Sequence, residues 1–356
     1  MDKDLLDLYT DYLISSFGLT TATGLSALGG NTVSHDRITR LLSGRDFTSA
    51  DLWLLVKPLV RQVQQEEAVL VIDDSIEAKP YTDESQLICW HWDHVQGRSV
   101  KGINLLSALY HSQGVSLPVA FELVKKPDFV TDKKTGRQKR QARQTKNDLY
   151  RQMLSVCVRN GLVFGYVLND TWFASAETMV FVKHTLDKDF VMPLKDNRKV
   201  TQDAPGTPNR GYVPVSELSL EDNLAITVWR EDVDFPLRLV KQVFTNADDS
   251  TGVVYLVSSD TTLTAQAIQT LYQKRWKVEE YHKSLKSNLA FSRSPTKTLR
   301  TQSNHIFACL MAFVKMEQMR LKTHLNHFAM KGQIYQAALR SAYQQLQTLK
   351  AQSGLA

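Results

Sequence analysis

Between Leu271 and Lys286 the chain reads LYQKRWKVEEYHKSLK. A phenol (Tyr272), a guanidinium (Arg275), a carboxylate (Glu279) and an ammonium (Lys286) recur there at spacings of three, four and seven residues. At about 100° per residue, these four side chains fall within roughly 60° of one another on a helix. Lys283 sits beside them. One helix face then offers an oxygen ligand for a hard cation, together with groups that bond phosphate oxygens. Leu271, Val278, Tyr281, Leu285 and Leu289 lie on a different face, which suits packing on a sheet. The same spacings also fit a solvated stripe tied by Arg275–Glu279 and Glu279–Lys283 pairs.

Two further acids stand where apolar runs end. AVLVIDDS reads as a buried central strand closed by Asp73 and Asp74, and LVFGYVLND as another closed by Asp170. A single acid in such a place is ordinary strand-end polarity. Two acids ending neighbouring strands, with a third from a helix, form an oxygen-ligand site for Mg²⁺ or Mn²⁺. Two such ions about 4 Å apart activate a water and stabilise the leaving oxygen of a phosphodiester. Asp73 and Asp74 alternate along a strand and face opposite sides, so only one of them joins Asp170 and Glu279.

The elements that must position these acids follow from the pattern. Residues 1–66 read as a helical N-terminal domain suited to DNA binding, with Ser34 and Gly44 as the caps of one helix. INLLSALYHSQGVSLPVAFELV reads as two strands joined by a tight turn at Ser112–Gly114. A basic stretch becomes helical toward Gly161. The apolar strand to Asp170, a helix in ASAETMVFVKHTL and a fifth strand in DFVMPLK follow. Residues 197–260, with Pro and Gly punctuation and alternating segments, read as an all-β insertion. Helices return through 261–320, and 321–356 form a C-terminal helical region. The class is α/β: a mixed sheet with helices on both faces.

The spacing Tyr272–Arg275–Glu279–Lys286 resembles the signature of the insertion sequence 4 family of DDE transposases. VIDDS resembles that family's first-aspartate strand, VLNDTWFAS its second, and DFVMPLKDNRKV the strand that follows. HKSLKSNLAFSRSPTKTLRTQSNHIFACLMAFVKME resembles its downstream helices. The resemblance covers most of residues 67–320, and a β insertion before the glutamate is typical of the family. It implies an RNase H-like core in two parts, 67–196 and 261–320. It also implies that Asp73, Asp170 and Glu279 hold two metal ions. The family's first aspartate is typically followed, one residue on, by Ser or Thr. Ser75 takes that place relative to Asp73, with Asp74 as the alternative ligand. Tyr272, Arg275, Lys283 and Lys286 would hold DNA phosphates near the metals.

The implied activity is transposition. Metal-activated water cuts the element's terminal inverted repeat, and the freed 3′-hydroxyl attacks target DNA, in a cut-and-paste reaction on double-stranded DNA. Synapsis of two ends implies at least a homodimer. A metal-dependent nuclease on the same core, without strand transfer, is the enzymatic alternative. A DNA-binding derivative that has lost catalysis is the other, and the intact acids argue against it.

The remaining features are consistent with a DNA substrate. The net charge is +6, a lean toward acidic partners. Lys133, Lys134, Arg137, Lys139, Arg140, Arg143 and Lys146 form a run of one sign that suits a phosphate-tracking arm, with Lys139, Arg140 and Arg143 at its centre. Trp229 and Trp276 are candidates to stack on an unpaired base. Cys89, His91, Asp93 and His94 lie close in sequence but lack a second ligand pair, so they read as a structural loop rather than a zinc site. Lys101 and Gly102 offer a place for backbone to approach the metals. The three cysteines are far apart and read as free thiols. No membrane anchor or signal peptide is expected from the N-terminal residues, so the expected location is the prokaryotic cytoplasm, on the nucleoid.

Overall fold

The computed structural model describes residues 2–354 except Val95, Lys134, Thr135 and Ala247. Lys134 of the basic run thus lies outside the described residues. The chain forms two compact units. One comprises Met1–Leu52, Ile76–Ile103 and Glu280–Ala356; the other comprises Trp53–Ser75 and Asn104–Glu279.

The N-terminal segment folds as α1 (Lys3–Ser15), α2 (Ala22–Leu28), α3 (His35–Ser43) and α4 (Ser49–Val63). Side chains of Asp2 and Thr21 cap the first two by accepting from Leu5 N and Gly24 N, which satisfies amides that have no partner within the helix. Ser34 is the N-cap of α3 by position, yet its side chain makes no capping bond. The sheet strands and helices that follow are β1 (Val69–Ala78), β2 (Cys89–Asp93), β3 (Arg98–Ser112), β4 (Val115–Leu123), β5 (Asp128–Thr131), β6 (Gln138–Gln141), α5 (Lys146–Arg159), β7 (Tyr166–Asn169), α6 (Ala176–Val180) and β8 (Asp189–Leu194). Next come β9 (Lys199–Thr201), β10 (Val213–Pro214), β11 (Ala225–Arg230), β12 (Leu237–Thr245) and β13 (Thr251–Ser258). The chain ends with α7 (Ala265–Gln273), α8 (Trp276–Asn288), α9 (Leu299–Thr323) and α10 (His327–Ser353).

The larger unit is built on a mixed sheet with helices on both sides. Its central order is β4-β3-β1-β7-β8. β1, β7 and β8 run parallel, while β3 and β4 form an antiparallel hairpin. This is the strand order of an RNase H-like core. Val69–Ile72 of β1 are fully buried, as a strand covered on both faces requires. The Ser112–Gly114 turn has Gln113 and Gly114 at positive φ, the two-residue geometry that matches strand twist in a hairpin.

The structure refines three sequence readings. The β insertion does not stand apart: β13 pairs antiparallel with β8, and β12, β11 and β9 continue the same sheet. The unpaired edge of β8 supplies the ladder that these strands complete. Part of the basic stretch is a separate hairpin, β5 with β6. The helix read in ASAETMVFVKHTL is α6 followed by a π-helical turn at Phe181–Thr185.

In the smaller unit, α9 is buried nearly all round through its first four turns. It anchors the N-terminal helices through side-chain bonds. Asn304 Oδ1 accepts from Phe47 N at 2.9 Å, and the Tyr9 hydroxyl lies 3.0 Å from His305 Nδ1. β2 pairs with the first residues of β3, Cys89 opposite Gly102. A Cβ on Gly102 would lie 2.2 Å from the Glu77 carbonyl oxygen. The glycine is therefore there for the backbone at Glu77, a closer approach than any side chain permits. We expect Gly102→Ala to destabilise the protein by about 1–3 kcal/mol, and Gly18→Ala, with no atom within 4 Å, to be near neutral. Equilibrium denaturation of the two variants checks the contrast.

Candidate active site

The parallel register of β1 and β7 ends at Ile72 opposite Asn169. Continued by one residue, it sets Asp73 beside Asp170. Asp170 leaves the sheet there, whereas β1, read from the sequence as closed by Asp73 and Asp74, runs on to Ala78, so Asp73 lies mid-strand where the β7 pairing stops. Asp170 Oδ1 accepts from the amides of Trp172 (3.0 Å) and Phe173 (3.3 Å), which fixes the turn after β7. Behind it, buried Asn169 donates to the Tyr150 hydroxyl at 2.9 Å, and Tyr150 stacks on Phe173.

Glu279 comes from the first turn of α8. The single helix read from the sequence is broken here. α7 ends at Gln273 and α8 begins at Trp276. Between them the amides of Lys274, Arg275, Lys277 and Val278 each bond the carbonyl three residues back, a tighter winding than α. Tyr272 therefore ends one helix, Arg275 sits in the junction and Glu279 belongs to the next. Arg275 still donates to Glu279 at 3.3 Å and lies 5.6 Å from the centre of the Tyr272 ring. A carboxylate oxygen of Glu279 is within 4.8 Å of one of Asp73.

The electrostatics follow from crowding. Burial raises the Asp73 carboxyl well above its ordinary pKa, and repulsion by Asp170, Asp74 and Glu279 raises it further. Asp170 is raised by burial and by Asp74, with its two amide bonds and Arg275 opposing. Burial pushes the Tyr272 hydroxyl up to about 12, so it stays a hydrogen-bond donor. Arg275 is raised through Tyr272 and Asp73 despite burial and is always cationic.

Asp74 has a different environment. Lys146 Nζ donates to both its oxygens, at 3.0 and 3.1 Å, and Asn104 Nδ2 donates to Oδ2 at 2.6 Å. Sequence reasoning put Lys146 in a phosphate-tracking run and did not weigh Asn104. No sequence signal links either to Asp74, because the contacts span 72 and 30 residues. Asp74 is thereby ion-paired, while Asp73 lies within 4.8 Å of Glu279.

The donor set suits a hard divalent cation: Asp73 and Glu279 lie within 4.8 Å of each other, and Asp170 is near enough to raise Asp73 by repulsion, though it is not within that distance of both. A cation would remove that repulsion.

A family profile described as DDE superfamily endonuclease matches residues 2–214. The chain belongs to the DDE superfamily endonucleases. No curated protein matches this DDE endonuclease. Among solved structures, the Drosophila P element transposase strand transfer complex aligns at 13% identity over 48% of this chain and 33% of that one, with a TM-score of 0.25. Kluyveromyces polysporus Argonaute with a guide RNA aligns at 11% identity over 80% of this chain and 32% of that one, with a TM-score of 0.23. The chain spans about a third of the length of each.

The other candidate residues of this DDE endonuclease fall in several places. Lys139 pairs with Asp132 at 2.7 Å, and Arg143 makes two bonds to Asp128 at 2.9 and 3.0 Å. Arg140 lies over the Phe129 ring at 4.3 Å and donates to Lys126 O. The run has no acid of its own, but the β5–β6 fold brings acids from the preceding residues. Trp276 is 61% exposed, beside Arg275 in sequence; Trp229 is half-buried on β11 with Arg210 5.7 Å from its ring centre. In the smaller unit, Lys286 Nζ donates to Ile76 O at 3.0 Å and Lys283 lies 5.2 Å from the Phe328 ring centre. His282, three residues beyond Glu279 in α8, was not singled out. It is buried, its Nε2 has no hydrogen-bond partner, and its pKa is pushed down to about 3 by burial, with Lys286 adding to the effect. It is a neutral ring with a free nitrogen. The spacing Glu-x-x-His was the one clue to it.

Cys89 and His91 are both buried, with Sγ 3.3 Å from Nε2, and all three cysteines are free thiols. No helix among the described residues is long and apolar enough to cross a membrane.

The crowding makes a stability prediction with a definite sign. Asp73 has a raised folded-state pKa. Its stabilising contribution is present below the unfolded pKa and is lost as pH rises through the folded one. Asp73→Asn should therefore raise Tm by a few degrees at neutral pH, and this gain should vanish in acid. Added Mg²⁺ should raise Tm of the native chain more than that of the variant. Thermal unfolding from pH 3 to 8, with and without Mg²⁺, measures both effects.

Proposed function

We propose that this DDE endonuclease is the transposase of an insertion sequence of the insertion sequence 4 kind. It would cut at the element's terminal inverted repeats and join the freed 3′-hydroxyl to target DNA. The observation that carries the reading is the meeting of Asp73, Asp170 and Glu279 with Arg275 and Tyr272 in one unit. The acids are the ligands of a nuclease site, and the cation and phenol beside them are groups that bond phosphate.

In this reading Asp73, Asp170 and Glu279 hold two Mg²⁺ or Mn²⁺ ions. When bound, these supply Lewis-acid activation of a nucleophile and neutralise charge on the scissile phosphate. Arg275 leaves Glu279 for a phosphate oxygen, where its planar fork gives paired bonds. Tyr272, protonated at neutral pH, donates to a neighbouring phosphate. Lys146 and Asn104 keep Asp74 out of the ligand set, so the cations find a defined number of carboxylates. Trp276 stacks on a base unpaired near the cut. The β5–β6 hairpin exchanges its acid pairs for DNA phosphates; Lys283 and Lys286, in the smaller unit, are separate candidates for phosphate contact. The N-terminal helices contribute DNA binding, and two ends are held by at least two copies in the bacterial cytoplasm.

The test is a strand-transfer assay on cognate end DNA. Joined product requiring Mg²⁺ or Mn²⁺, with Ca²⁺ supporting binding but not cleavage, is the expected result. Cutting without joining would instead make the protein a nuclease. Full cleavage in excess chelator would sink the metal reading altogether. Glu279→Gln should lower cleavage by roughly 10³-fold or more with DNA binding intact, whereas Glu280→Gln, about 100° round the helix, should be mild.

The hairpin has its own readout. Replacing Lys139, Arg140 and Arg143 with Gln should reduce the slope of log affinity against log salt by about one per lost phosphate contact. An unchanged slope would mean that these cations keep their acid partners on DNA.

A further inference from the structure

His282 carries a bare nitrogen where packing alone requires none. The residue is 6% exposed, and its Nε2 has no hydrogen-bond partner among the described residues. A buried polar atom left unbonded costs the desolvation of that atom. Buried His305 shows the ordinary solution. Its Nδ1 lies 3.0 Å from the Tyr9 hydroxyl, and its Nε2 lies 3.0 Å from the Ala290 carbonyl oxygen. If His282 did no more than fill space, an apolar side chain would fill it at less cost.

Its place on α8 shows what that nitrogen can meet. At about 100° per residue, His282 lies about 60° from Glu279 and about 40° from Val278. It stands on the border between the acid-bearing side of the helix and the apolar side, where Val278, Tyr281 and Leu285 are buried. α8 is continuous from Trp276 to Asn288, so Glu279 and His282 are neighbours within one helix, three residues apart. A ring nitrogen of His282 and a carboxylate oxygen of Glu279 lie within 4.8 Å of each other, close enough to serve one cation. We infer that His282 is a nitrogen ligand of a cation held by Glu279, which makes the metal centre a mixed carboxylate and imidazole site. The inference rests on the reading of Glu279 as a metal ligand.

The chemistry of an imidazole suits this position. A further acid beside Glu279 would add like charge to groups that already repel one another. A neutral imidazole adds a lone pair and no charge. The ring also biases the choice of ion. Mg²⁺ is held through oxygen, whereas first-row ions such as Mn²⁺ and Co²⁺ also take nitrogen. A site with His282 among its ligands therefore holds Mn²⁺ more tightly than Mg²⁺, and removing the ring narrows that difference.

The test uses the full chain without DNA and reads binding, not activity. Calorimetric titrations with Mn²⁺ and with Mg²⁺ give the affinities, and pulsed electron paramagnetic resonance of bound Mn²⁺ reports nitrogen in its coordination shell. The native chain should show nitrogen coupling to Mn²⁺, and His282→Phe and His282→Gln should lose it. His282→Phe, which keeps a ring of similar size, should bind Mn²⁺ roughly tenfold or more weakly, with a smaller change for Mg²⁺. Without metal, the same variant should unfold at no lower a temperature than the native chain, because it removes the unbonded nitrogen. Bound Mn²⁺ with no nitrogen coupling, or coupling that persists in both variants, would overturn the inference and leave the carboxylate site standing. A native chain that binds no Mn²⁺, or binding untouched by Glu279→Gln, would overturn the reading of Glu279 and the inference with it.

Discussion

Like charges forced together at one end of a sheet are the constraint from which the site follows. Asp73 stands on β1 where its parallel pairing with β7 stops, Asp170 directly follows β7, and Glu279 comes from α8. Burial makes Asp73 and Asp170 costly as anions, and Asp73 is raised further by Asp170, Asp74 and Glu279. Every nearby feature bears on that cost. Two amides hold Asp170, Arg275 holds Glu279, and Lys146 with Asn104 takes Asp74 out of the competition. Asp73 keeps a single bond, from the amide of Asp74. Its carboxyl is accordingly the one raised well above its ordinary pKa.

The same constraint explains the broken helix. A continuous α-helix would align Tyr272, Arg275 and Glu279 on one stripe and nothing more. The tighter turn between α7 and α8 sets Arg275 at a junction. There it is largely buried between a phenol and a carboxylate. The guanidinium is held by weak, replaceable contacts near the acids. The cations of the β5–β6 hairpin are arranged on the same principle. They are paired with exposed acids at the surface, where ion pairs contribute little and exchange readily.

The sheet shows how an insertion is accommodated. β13 continues from β8, so the added strands extend the core instead of forming a separate barrel or sandwich. The extension hides the β8 edge that would otherwise be open to pairing with other chains. It also carries the chain from the end of β8 back to α7 and α8, which with their junction deliver Tyr272, Arg275 and Glu279. The insertion thus belongs to the support of the site.

The sequence by itself determined the parts list. Apolar runs marked the buried part of β1 and the whole of β7, because a central strand is apolar on both faces; the acid closed β7 as read, but β1 runs on past Asp73 and Asp74 to Ala78. The Ser112–Gly114 turn was legible because positive φ needs particular residues. The spacing from Tyr272 to Lys286 marked the region of the third acid. Tertiary structure decided what periodicity cannot carry. Strand order set Asp73 beside Asp170. Contacts spanning 30 and 72 residues gave Asp74 to Asn104 and Lys146. Local winding broke a helix that reads as continuous, and a hairpin supplied acids to a run that seemed to have none. Each of these depends on which groups meet through space. A one-dimensional pattern records which residues can bury or bond, but their partners are fixed only when the chain packs.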